Sequence, residues 1–525
     1  MTKQSNVLLI ASENGAFAGA KVGGMADVIR DLPAPMAEQS VLAHQIMPAY
    51  GFLHSQTNAQ FLGEFLVEFR SSFHTVQLYK TPNPNVSDAI CYFLDHPYWH
   101  SSPGQIYSDS GNRPFADDAN KFAFFSVAVA EALHLEMIQE PDVIHLNDWH
   151  AAFFALYTNA VDRYRALNSI PTAMSIHNLA IQGIRPLQND DSSLEAWFPE
   201  LYDSLSKEIF DKIVDPRYPD CINPMRMGIN LSDRVHVVSP TYAKEVIKPS
   251  NPESGFFGGE GLEQDLINKG KNLFGVINGT NYPQQRVSVP ETFLDFIRLS
   301  LETVIKWQGG RHAVSGQDYI ADKRLSDLLE NSFEPDFLIT SVGRLTDQKV
   351  LILRQPYGAY QTVLDALLAR LKQFSDNALF IMLGSGDAKI TSEFRQVAAR
   401  HSNFIFLNGY AEDIPDWLYQ NGDLFLMPSS FEPCGISQML AMKEGQPCIV
   451  HGVGGLKDTV EHDKSGFVFA GENLAEQSEQ MLEMFDYILE VFQSERWKKI
   501  RQSAKARRFS WQKVCKQLIK KLYRL

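Results

Sequence analysis

The chain has 525 residues, 44% of them hydrophobic and 21% charged, with a formal net charge of −14. That length exceeds one ordinary core and predicts two large domains, while the acidic balance argues against nucleic acid as a partner. No apolar run is long enough to span a membrane, and five cysteines without paired CxxC spacing argue for a reducing cytoplasm and against a disulfide frame or zinc site.

Residues 6–11 form the first strand: a short apolar run that breaks at Ser12 and Glu13 reads as a buried strand, not a signal peptide. The next loop carries Lys21, Gly23 and Gly24, and the spacing of Met25, Val28, Ile29 and Leu32 starts a helix near Gly24. Glycines let a backbone approach a diphosphate and Lys supplies charge; a simple tight turn is the plain alternative. Neither GxGxxG nor GxxxxGK[ST] is present, against NAD and P-loop readings.

Residues 40–140 open with alternating short strands and Pro- or Ser-rich loops, and a helix from about Asn120 to Leu135 closes them. A strand at Asp142–Leu146 then ends in Asn147, Asp148, Trp149 and His150, a polar cluster of the kind that faces a cleft at a strand's carboxyl end. A helix N-cap by Asp148 with His150 in the first turn explains the same residues. Thr172–Ile176 repeats the arrangement and ends in His177 and Asn178. Residues 185–228 read as an acceptor-side segment, and Arg234–Val238 and Asn272–Ile277 as further strands. Residues 284–335 mix helical patterns (Phe293, Ile297, Leu301, Ile305) with a polar loop through Gly309 and Gly310, and read as a hinge into the second domain.

Phe337–Val342 restarts the strand–loop–helix grammar and ends in a loop with Arg344 and Lys349, two long cations that suit a diphosphate or, in the plain reading, are solvated surface charge. Further strands at Ala378–Leu383 and Phe404–Leu407 lead to the Gly384–Gly386 loop and to Tyr410, an aromatic ring able to stack on a base. From Met427 to Val460 the pattern is densest: a strand ends at Met427, Phe431-Glu432-Pro433-Cys434-Gly435 follows, a helix runs through Met439 and Met442, and a strand ending at Val450 leads to Gly452, Gly454 and Gly455 at the next helix. One carboxylate and two helix N-termini thus fall at the carboxyl ends of adjacent strands, which suggests transfer chemistry on a phosphorylated substrate. The last residues form one amphipathic helix.

The stretches KVGGMADV, HLNDWHAAF, SIHNLAIQG, VVSPTYAKEV, GVINGTNY, GRLTDQK, LGSGD, SSFEPCGISQMLAMKEGQP, GVGGLKDTV, SGFVF and RRFSWQKV run in order from residue 21 almost to the C-terminus. In them the chain resembles bacterial glycogen synthases and plant starch synthases. The resemblance implies an α/β fold of two Rossmann-like domains facing a central cleft, the GT-B fold. Its parts would be an acceptor-side starch synthase catalytic domain over 1–283, the hinge over 284–335, a nucleotide-sugar-binding domain over 336–508, and a helix over 509–525 crossing back to the first domain. It implies a retaining transfer of glucose from ADP-glucose to the non-reducing end of an α-1,4-glucan such as glycogen, in the cytoplasm, with no metal and no cofactor.

Carried over by motif, Lys21, Gly23 and Gly24 would face the donor from the first domain, and Arg344 and Lys349 would grip its diphosphate from the second. His177 would sit near the transferred glucose, Asp148 would shape the sugar site, and Glu432 would accept from sugar hydroxyls, assisted by backbone near Cys434 and Gly435 and by the Gly454–Gly455 turn. Tyr410 would stack on the adenine. Retaining glycosidases set two carboxylates about 5 Å apart; no such pair stands out here, so a front-face mechanism with the leaving phosphate assisting fits better. The sequence departs from the family pattern at Val22, Asn281, Val350 and Ser430, which points to a divergent branch. The nearest alternative is a retaining GT-B glucosyltransferase with a small acceptor; an inactive glucan-binding protein and a pyridoxal-phosphate phosphorylase are the others.

Overall fold

A computed structural model describes residues 4–107, 118–282, 290–309, 316–411 and 413–525. The chain divides into two compact units, one of Met1–Ser250, Gly258–Asn281 and Ser510–Leu525, the other of Asn251–Phe257 and Tyr282–Phe509. Among the described residues no helix is long and apolar enough to cross a membrane.

The first unit is built on nine strands: β1 (Ser5–Ile10), β2 (Val41–Pro48), β3 (Gln60–Phe69), β4 (Ser72–Asn83), β5 (Val86–Asp95), β6 (Val143–Asn147), β7 (Thr172–Ile176), β8 (Arg234–Val237) and β9 (Leu273–Gly275), in the order β9-β8-β7-β6-β1-β2-β5-β4-β3. From β9 to β5 neighbours are parallel, and β2, β6 and β7 are buried along their whole length, as strands covered on both faces require. The far edge differs from the short strands expected there. β3, β4 and β5 are antiparallel strands of 10, 12 and 10 residues. Register shifts beside Gly63 and Pro82 interrupt their alternation, so continuous strands read as broken ones. Near the C-terminus a helix over Trp511–Gln517 continues to Tyr523 in a wider winding, and Trp511, Leu518 and Leu522 pack with Val7, Leu9 and Ile29.

The second unit holds β10 (Phe337–Val342), β11 (Ala378–Leu383), β12 (Phe404–Leu407), β13 (Leu424–Met427), β14 (Cys448–His451) and β15 (Gly466–Phe469), all parallel, in the order β12-β11-β10-β13-β14-β15. Helices over Phe293–Gly309 and Gly316–Glu330 bury Phe296, Ile297 and Leu325 against Leu338, Leu379 and Ile381, so these parts of the segment read as a hinge belong to this core. Residues 283–289 and 310–315, with Gly310, lie outside the described residues.

Each sheet has a switch point. The chain leaves β1 toward β2 on one side and returns to β6 on the other; in the second sheet β10 is flanked likewise by β11 and β13. Ligands of such sheets bind at the strands' carboxyl ends beside that reversal.

Candidate active site

At the β1/β6 switch point of the first unit, the loop after β1 returns to a helix over Gly24–Asp31 with Gly23 as its N-cap. Lys21 is about half exposed and its ammonium bonds both oxygens of Asp27, at 2.7 and 2.9 Å. The N–H groups of Val22 and Gly23 both donate to Oε2 of Glu13, at 2.6 Å each. Among the described residues a Cβ at Gly24 would meet nothing within 4 Å.

Asp148 follows β6 with φ of 54°, a backbone conformation that side-chain-bearing residues rarely adopt. As the helix-start residue it makes no side-chain cap bond among the described residues; its carboxylate turns instead to the next strand and accepts from the His177 N–H at 2.7 Å. Burial pushes this carboxyl up to about 7, the N–H groups of His177 and Asn178 work against the rise, and the charge of Glu13 adds to it. His177 bonds Asn147 through Nε2 at 3.1 Å, and burial together with His236 lowers it to about 3, so its ring is neutral at neutral pH. His150 is buried between the rings of Trp149 and Tyr107. Gly183 has φ of +72° and lies so close to the Trp149 ring that a side chain would collide with it.

At the β10/β13 switch point of the second unit, Lys349 forms an ion pair with Glu432. Glu432 is buried, and Ser429 Oγ donates to the same carboxylate oxygen at 3.3 Å. Ser430 N donates to Gln348 O at 2.9 Å, tying the loop of Lys349 to the loop of Glu432. Arg344 is exposed, and among the described residues its side chain has no hydrogen-bond or ion-pair partner. Its loop rests on the glycine loop after β11: Leu345 N donates to Ser385 O at 2.9 Å, and Gly384 lies so near Gly343 O that no Cβ would fit.

Gly455 sits against the backbone of Cys434, where a Cβ would overlap Cα, C and O of that residue, and its N–H donates to Glu432 O at 3.0 Å. Gly435 has φ of +75° and Gly454 φ of +43°. Gln438 Nε2 ties this turn by donating to Cys434 O and Gly435 O, at 3.2 and 3.0 Å. Tyr410 is 75% exposed, with its carbonyl held by Trp307 Nε1 at 3.0 Å.

Within the first unit, then, Asp148 and His177 meet, and Lys21 is paired with Asp27 instead. Within the second, Lys349, Glu432, Cys434 and Gly455 form one cluster, with Arg344 exposed on the linked loop. Sequence reasoning missed Glu13 and Ser429. The only signal for Glu13 was a carboxylate directly after a buried strand and before a glycine loop, and Ser429 had none beyond its place two residues past a strand. Ser430, at a departure from the family pattern, is buried, and among the described residues its hydroxyl has no partner. Among the described residues no three His, Cys, Asp or Glu side chains are grouped to hold a metal ion.

Each of the two doubly wound sheets carries charged side chains at its switch point, the arrangement expected of the two-domain GT-B class. Residues 6–268 match the family model described as "Starch synthase catalytic domain", and residues 338–486 match "Glycosyl transferases group 1". A glycogen synthase of Caldicellulosiruptor saccharolyticus is 31% identical over 524 residues, 96% of each chain, and one of Vibrio cholerae is 29% identical, covering 100% of this chain and 99% of its own. The fold is shared with the catalytic domain of starch synthase IV from Arabidopsis thaliana, solved with ADP and acarbose, at a TM-score of 0.74 and 24% identity over 100% of this chain and 99% of that one. The chain belongs to the glycogen and starch synthase family of glycosyltransferases.

Proposed function

We propose that this protein transfers glucose from ADP-glucose to the non-reducing end of an α-1,4-glucan, retaining the anomeric configuration. The observation that carries the reading is the Lys349–Glu432 cluster at the β10/β13 switch point, with exposed Arg344 on the linked loop. It sets two cations for a diphosphate beside a buried carboxylate for sugar hydroxyls. The relatives named glycogen synthase, alike over nearly the whole chain, and the ADP held by the Arabidopsis structure support the same donor and polymer.

In this reading Arg344 and Lys349 stabilise the negative charge that grows on the ADP leaving group as the glycosidic bond breaks. Glu432 accepts from hydroxyls of the transferred glucose, and the Cys434–Gly435 and Gly454–Gly455 turns bring backbone groups to the same sugar. On the first unit's side, Lys21 and the Gly23–Gly24 turn serve the donor. Neutral His177 offers its ring and main-chain carbonyl to the electron-poor anomeric carbon, and Asp148 bonds the sugar. The departing phosphate takes the acceptor proton, so no second carboxylate is required. Tyr410 stacks on the adenine. The domain roles follow: residues 1–283 receive the acceptor, 336–508 bind the nucleotide sugar, and 509–525 complete the first domain. Among the described residues no cysteine is joined in a disulfide, which suits work in a reducing cytoplasm.

The test is glucose incorporation into glycogen by the purified protein, run with ADP-glucose, with UDP-glucose, and with small acceptors in place of glycogen. Polymer elongation from ADP-glucose is expected. Nucleotide release with small acceptors alone would replace the polymer by a small acceptor.

A further inference from the structure

Glu13 has no role in the reading above, and its surroundings give it one. It stands three residues beyond β1 at the first unit's switch point and is only 4% exposed. A buried carboxylate is costly unless hydrogen bonds replace its water. Here the Val22 and Gly23 N–H groups donate to Oε2 at 2.6 Å each, and the Tyr107 hydroxyl donates to Oε1 at 2.8 Å. Among the described residues Glu13 has no cation partner, so its charge is met by the N–H groups that lead into the Gly24–Asp31 helix.

We propose that Glu13 is a positioning residue for the donor sugar: it clamps the loop of Lys21, Gly23 and Gly24 and ties it, through Tyr107, to the cluster of Asp148 and His177. The inference rests on the donor reading of that loop given above.

Two sets of contacts support the coupling. Glu13 closes the loop on itself, joining its first residues to its last across nine and ten positions of chain. Tyr107 carries the link onward: its hydroxyl also bonds Ser12 Oγ at 2.7 Å, its ring stacks on His150 at 5.1 Å, and His150 stacks on Trp149 at 4.3 Å. Trp149 is the neighbour of Asp148, whose carboxylate holds the His177 N–H. The clamp also divides the work of the loop. Glu13 occupies the N–H groups of Val22 and Gly23, which leaves Lys21 and the open face at Gly24 for the donor.

The experiment compares wild type, Glu13→Ala and Glu13→Gln by steady-state kinetics with ADP-glucose and glycogen, by amide hydrogen exchange over residues 20–26, and by thermal unfolding. Glutamine keeps a carbonyl oxygen for both N–H groups and an amide that donates to the Tyr107 oxygen. Glu13→Ala is expected to lose about tenfold to a hundredfold in kcat/KM for the donor, the scale of a misplaced binding loop. It should exchange the Val22 and Gly23 amides faster and leave the glycogen KM near wild type. Glu13→Gln should recover most of the donor loss. Donor kinetics unchanged in Glu13→Ala would overturn the proposal, as would equal losses for donor and acceptor that track a lowered Tm and are not rescued by glutamine. A wild type that transfers from no nucleotide-glucose would instead overturn the donor reading, and the positioning role with it.

Discussion

Lys349 already shares its ammonium with a buried carboxylate, so a diphosphate brought to it would be a second anion on one cation. In the proposed reading the Lys349 charge would matter most when the leaving group becomes more anionic, which is the condition for stabilising a transition state over a ground state. Lys349→Ala should therefore cut kcat by about two orders of magnitude or more, read in the glycogen assay beside a Tm that shows the fold intact; near-wild-type turnover would remove Lys349 from the chemistry. Asp148 gives a prediction in pH. Burial lifts it to about 7, so the folded chain holds its proton more tightly than the unfolded chain, where Asp titrates near about 3.9. The stability this contributes is whole below that unfolded value and is lost as pH rises through about 7. Asp148→Asn cannot ionise and escapes the loss, so its Tm relative to wild type should climb from about pH 5 to about pH 8. A flat difference would mean that Asp148 is not raised.

The strand-to-helix turns hold these groups, and the turn of Gly454–Gly455 is the tightest. Its backbone lies against that of Cys434, which cannot move aside as a flexible side chain could. Gly455→Ala should cost about 1–3 kcal/mol, as overpacked sites do, seen as a lowered denaturation midpoint, and should weaken donor binding through the displaced Cys434–Gly435 turn. Unchanged stability would show that the turn has room. Turns of this kind were legible in the sequence because a buried strand followed by glycine and a charged residue is a local pattern. β7 falls on its expected residues, and the helix after the first strand starts at Gly24 as its apolar spacing predicts. Partnerships across strands were not legible. Ser175 joins His145 and His236 at 2.6 and 2.8 Å, and Tyr523 bonds His145 at 2.8 Å, a buried chain across three parallel strands and the C-terminal segment. Its members are remote in sequence, and only strand register brings them together. The Glu13 clamp and the Asp27 partner of Lys21 were hidden for a related reason: loop geometry, not spacing, decides which charge meets which amide.

At the scale of the molecule the chain makes the same kind of site twice, on two sheets of different length. The nine-stranded sheet carries an antiparallel edge that the six-stranded one lacks, and the chain returns after Phe509 to finish the first unit's core with Trp511, Leu518 and Leu522. In the proposed reading each unit supplies residues to the transfer from a nucleotide sugar. The second offers Arg344, Lys349 and Glu432; the first offers Lys21, Asp148 and His177. The whole chain, and not one unit of it, is therefore the smallest piece expected to be active. The most direct test is glucose transfer to glycogen by the full chain from ADP-glucose, with UDP-glucose in parallel and the anomeric linkage of the product determined. The account predicts lengthened α-1,4 chains from ADP-glucose. No elongation from either donor, with the protein folded and glycogen bound, would contradict it.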